Sequence, residues 1–146
     1  MNGRLVGAGI VAAAVLAGAG MYYLQVFAFY ETLPPEAAEI EVAGATLRLD
    51  GFEGIDAASS PLRYRACGRV AALPEGLRPY PDAEPLNAPF WFDCFDAGAL
   101  GAALASGAAT AYLAQENVAP GVDRVLAVSD DGRAWLWHQL NGTLGD

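Results

Sequence analysis

Lysine is absent from this chain of 146 residues, and all eight basic side chains are arginine. Charge is sparse at 17% of residues, and 17 acids outweigh the eight bases to give a net −9. Binding a phosphate backbone requires clustered positive charge, so no nucleic-acid partner is expected. One histidine, two cysteines and two methionines are too few for a His- and Cys-rich zinc set, and they supply little beyond the cysteines for copper. Gly-rich phosphate loops, HExxH and GxSxG are all missing, as is any internal repeat. The expectation is a chain that is not an enzyme, with no catalytic residue, metal or cofactor. Apolar residues make up 54% of the composition, which excludes a disordered chain and suits one packed domain plus a membrane segment.

Leu5 to Tyr30 is a 26-residue run without Asp, Glu, Lys, Arg or His. At about 1.5 Å per residue, Leu5 to Leu24 covers the roughly 30 Å hydrocarbon core. Tyr22, Tyr23, Phe27, Phe29 and Tyr30 then lie at headgroup level. Arg4 flanks the other end, and everything after residue 30 carries net −10, so the positive-inside rule places the N-terminus in the cytoplasm. Ala17-Gly18-Ala19 also fits a signal-peptidase site, but the apolar run continues for eleven residues beyond it, which favours a retained anchor. Gly9, Ala13 and Ala17 recur every four residues, as a helix-docking face does and as an Ala/Gly-rich segment does by composition alone.

The division expected is an anchor over 1–30, a proline-stiffened spacer over 31–37 and an exported domain over 38–146. Glu39 to Leu49 alternates around Gly44 and predicts a hairpin or bulged strand, and Pro61 to Val70 alternates again. Five prolines make residues 71–92 a loop. Asp96 is the cap and Gly107 the stop of a small-residue helix through Ser106. Asp123–Ser129 and Arg133–Leu140 flank an Asp130-Asp131-Gly132 loop, where Gly132 supplies the positive φ of a three-residue hairpin turn. Thr110–Ala114 reads equally as strand or short helix, and Asn141-Gly142-Thr143 as a turn. The fold class is α+β, a membrane helix followed by a small, mainly antiparallel sheet with one short helix and a C-terminal hairpin.

Cys67 and Cys94 lie in the exported part without a CxxC partner, which points to a disulfide. The alternative is a thiol pair serving copper or redox exchange. Arg63, Arg65 and Arg69 share a strand face with Cys67, whereas Asp93 and Asp96 flank Cys94 and oppose a reactive thiolate. A bridge would bring these opposite charges together as ion pairs; left unpaired, the arginines would form an anion site. Phe90, Trp91, Trp135 and Trp137, with the three arginines, are either core or a partner-facing patch. His138 has no triad or metal-ligand neighbours in sequence.

The anchor ending in Met21-Tyr22-Tyr23-Leu24-Gln25-Val26, the segment Phe52-Glu53-Gly54-Ile55-Asp56-Ala57 with Ser59-Ser60-Pro61, Leu86-Asn87-Ala88-Pro89 with Trp91 to Asp96, and the ending Asp131-Gly132-Arg133 with Trp137-His138-Gln139 together carry a resemblance. The chain resembles an uncharacterised family of small membrane-anchored proteins from Rhodobacter-like alphaproteobacteria. The resemblance implies no activity. The name histidine kinase is sometimes attached to such proteins, but this chain has neither ATP-binding Gly-rich boxes nor room for a kinase domain. The functional expectation is a single-pass inner-membrane protein with a periplasmic interaction module and a membrane-protein partner.

Overall fold

A computed structural model describes residues 2–144; Met1 and the last two residues of the domain expected to end at 146 lie outside the described residues. The apolar run forms helix α1, Gly3–Tyr23, capped by the Asn2 side chain, which accepts from the Arg4 amide. It continues into one π-helical turn over Leu24–Ala28, where the Phe29 amide donates to the Leu24 carbonyl. None of its residues is buried, and its 26 residues are long and apolar enough to cross a bilayer. A signal sequence near an N-terminus has the same character.

The second unit, residues 31–146, is a separate body built on strands. They are β1 (Glu31–Thr32), β2 (Glu39–Val42), β3 (Ala45–Arg48), β4 (Asp50–Asp56), β5 (Arg65–Arg69), β6 (Ala109–Ala119), β7 (Val122–Ser129) and β8 (Arg133–Leu140). Six form one antiparallel sheet in the order β1-β4-β5-β8-β7-β6, and β2 pairs with β3 as a separate hairpin. Helix α2, Ala97–Ser106, has the Asp96 carboxylate on the Ala99 amide and ends at Gly107. The fold is α+β.

The helix, both hairpins and the proline-rich loop fall where the sequence places them. Gly132, at φ +87°, closes the β7–β8 turn. Three stretches gain detail. Within the stretch 31–37, Glu31 and Thr32 pair with Asp56 and Ile55, and the Leu33 amide donates to the Gly54 carbonyl. Strand 61–70 shortens to Arg65–Arg69, since Ser60 draws Leu62 and Arg63 into a turn. Thr110–Ala114 belongs to strand β6.

Both faces of the sheet are covered. On one, Ile40, Val42, Leu47 and Leu49 around the hairpin pack on Ala66, Ala114, Leu126, Ala134 and Leu136. Gly68 permits this approach, since a Cβ there would meet Leu49 Cβ at 3.0 Å and the Asp50 carbonyl at 3.1 Å. Strand alternation turns Arg65, Cys67, Val125, Ala127, Trp135 and Trp137 to the other face. The proline-rich loop runs along the open edge of β6, bonding through the Tyr80 and Leu113 amides to the Ala111 and Arg78 carbonyls. An otherwise unpaired edge is thereby blunted.

Candidate functional site

The chain closes a disulfide between Cys67 on β5 and Cys94 in the loop before α2, with Cα atoms 6.1 Å apart. The arginines and aspartates around it take several different places. Arg65 is buried, at 4% exposure. Its guanidinium donates to the carbonyls of Leu62, Tyr64, Leu86 and Asn87 and lies 5.7 Å from the Phe95 ring centre. Asp96 caps α2. Arg69 is exposed and donates to the Asp131 carbonyl, and Arg63 is half-buried in the turn before β5.

The aromatic patch divides in the same way. Trp137 is fully buried, edge-on to Phe95, with its indole N–H on Gln139 Oε1. Trp137 and Arg65 are therefore core, because the proline-rich loop folds over their face of the sheet and removes it from solvent. Phe90 is 70% exposed, Trp91 is half-buried against Phe92, and half-buried Trp135 donates to the Cys94 carbonyl. Arg133 pairs with Asp131 at 2.9 Å and lies over the Trp135 ring. A cleft of about 290 Å³ opens here, with both cysteines, Glu53, Arg69, Arg133 and Trp135 in its wall. Its sulfurs are bonded to each other, so the thiolates that Cu(I) would need are absent from this form. Among the described residues, no three His, Cys, Asp or Glu side chains converge as a metal set.

A second polar constellation lies at the end of the hairpin-covered face. Arg124 on β7 faces His138 on β8 directly. One step beyond the pairs Ile55–Arg65 and Arg65–Trp137 lie Asp56, Tyr64 and again His138. Register thus sets Asp56, Tyr64, His138 and Arg124 in a row across four adjacent strands. Arginine Nε always carries its proton, so the 3.0 Å bond from Arg124 Nε makes His138 Nε2 an acceptor. The imidazole proton is then on Nδ1, which donates to the Pro61 carbonyl at 2.6 Å. The Tyr64 ring stacks on His138 at 4.5 Å, and Arg124 Cζ lies 4.4 Å above that same ring.

This packing keeps His138 neutral. Burial, reinforced by the charges of Arg124 and Arg65, pushes its pKa down to about 4 against the pull of the Pro61 bond. Burial also raises Asp56, although the Ala57 amide and both arginines pull it the other way. Asp56, Ser60, Pro61, Arg124 and His138 line a cleft of about 500 Å³. No local sequence motif announces this site, but the predicted hairpin contains half of it, Arg124 and His138. Counting back from the 130–132 loop sets Arg124 opposite His138.

No curated protein and no solved structure matches this chain. A family model described as a family of unknown function (DUF6446) matches residues 37–145, nearly the whole of the sheet-bearing unit. The chain belongs to that family.

Proposed function

We propose that this protein is a single-pass component of a bacterial inner membrane, of the Rhodobacter-like group, with its N-terminus in the cytoplasm. Its α+β domain works in the periplasm as a non-catalytic interaction module for a membrane-protein partner. The observation that carries this reading is a bridged cysteine pair in the domain that follows an apolar 26-residue helix, since disulfides persist in oxidising compartments. Arg4 before the helix and the acidic domain after it support the orientation. A non-catalytic role is supported by His138, whose two ring nitrogens are both engaged. The face offered to the partner is what remains at the surface of the aromatic patch: Phe90, Trp91 and Trp135, with Arg63 and Arg69.

Native gels of membranes opened with mild detergent test the proposal. The anchored protein should migrate in a larger complex, and Phe90→Ser or Arg69→Glu should weaken it; migration at monomer mass would refute the partner role. Fusion of a periplasm-active reporter to the C-terminus should give signal, and a cytoplasm-active one none.

A second reading, a thiol-dependent copper or redox helper, is favoured only by the position of both sulfurs in the wall of an open cleft. It requires the bridge to open under a mild periplasmic reductant and the reduced form to bind Cu(I). Resistance of the folded protein to such reduction would rule it out.

A further inference from the structure

We propose that the cleft over Asp56, His138 and Arg124 binds a small zwitterion of amino-acid type, with its carboxylate on the Arg124 guanidinium and its ammonium on Asp56. The inference concerns residues 31–146 alone and stands whether or not the membrane reading holds.

Arg124 is held on two sides by groups that ask nothing of its outer edge. Nε is spent on His138, and the guanidinium plane rests on Tyr64. Nε makes the one side-chain hydrogen bond of Arg124 among the described residues, so both terminal amino groups are left to the cleft in a planar fork. Such a fork matches a carboxylate. The neutral, fixed tautomer of His138 holds the fork without adding charge or competing for the ligand.

Asp56 shares that cleft and acts electrostatically on Arg124, yet the two do not close into an ion pair. Ion pairs do close elsewhere in the domain, as at Arg48–Glu39 and Arg133–Asp131. A half-buried carboxylate beside a guanidinium would ordinarily close on it if the row served packing alone. Here Arg124 is held by His138 and Tyr64, and one Asp56 oxygen is held by the Ala57 amide. A gap between opposite charges remains. Ser60 also lines it; its Oγ accepts from the Leu62 amide, which leaves its O–H to donate. A ligand filling the gap must offer an acceptor pair at one end and a cationic donor at the other. The charge of the whole chain favours the same choice, because −9 repels a bare anion but not a molecule without net charge.

The test is isothermal titration calorimetry of the full detergent-solubilised chain with the common amino acids one at a time, and with acetate and methylammonium as single-charge controls. At least one amino acid should bind, and both controls should bind at least about tenfold more weakly. Asp56→Asn should weaken that binding by about tenfold or more, as should Arg124→Lys, which keeps the charge and loses the fork. If Arg124→Lys does not fold, Asp56→Asn and Ser60→Ala decide, with melting curves to confirm their folds. No heat with any amino acid at millimolar concentration would overturn the proposal. Acetate binding as tightly as the best amino acid, with Asp56→Asn without effect, would overturn it too.

Discussion

The two faces of the sheet are covered by different means. One carries a local hairpin of alternating sequence, and its contact is apolar: Ile40, Val42, Leu47 and Leu49 on Ala66, Leu126 and Leu136. The other carries a long loop whose apolar burial is confined to its end, at Phe92 and Phe95, while its prolines and polar residues bury little. It is fixed instead at points: the Cys67–Cys94 bridge, the Leu86 and Asn87 carbonyls on Arg65, the Tyr80 hydroxyl on Asp123, and Gln139 between the Glu84 amide and the Asp82 carbonyl. Apolar burial stabilises a cover whose residues already alternate. A cover without alternation needs covalent and hydrogen-bonded fastening, which depends on redox state and on single side chains.

Breaking the bridge should have the largest effect, and on one face only. Cys67→Ala with Cys94→Ala removes a link across 27 residues of chain, a loss of about 3.5 kcal/mol by the chain-entropy model. Hydrogen exchange should rise at the Glu84 and Phe95 amides well before it does at Leu49. Equal rises on both faces would mean that the covers are not independent. Leu49→Ala, on the hairpin side, should cost about 3 kcal/mol by leaving a cavity. That cost should be the same in bridged and reduced protein if the faces act separately.

The hairpin face should carry a pH dependence of its own. Folding lowers the His138 pKa from 6.5 to about 4, so below pH 6.5 the unfolded chain takes up a proton that the folded one refuses. Stability is therefore full above pH 6.5 and falls as pH drops towards about 4, by up to about 3 kcal/mol. Urea titrations across this range should show that slope, and His138→Gln should flatten it. The smallest effect belongs to Tyr80→Phe, which removes one hydrogen bond to buried Asp123 and should cost about 1 kcal/mol, confined to the loop side.

What the sequence makes legible follows the same division. Asp96 and Gly107 bound α2, and Gly132 closes the last hairpin, because caps and turns are written in local chemistry. Strand β4 is not legible. Asp50, Gly51, Gly54 and Asp56 are poor strand formers, and pairing with β1 and β5 overrides them. For Trp137 and Arg65 the sequence leaves core and surface patch open, because their burial depends on a loop that meets them from more than twenty residues away in sequence. The row from Asp56 to Arg124 is half legible. The hairpin register pairs Arg124 with His138, but only the assembled sheet adds Tyr64 and Asp56.

Alkylation by a membrane-impermeant, mass-shifting maleimide tests most directly whether the loop-covered face is closed by a bridge outside the cytoplasm. Applied to intact cells, the reagent should leave Cys67 and Cys94 unlabelled before reduction and shift the protein by two labels after reduction with the inner membrane still closed. Labelling without prior reduction would contradict the bridge. Two labels that appear only once the inner membrane is opened would contradict the exported topology.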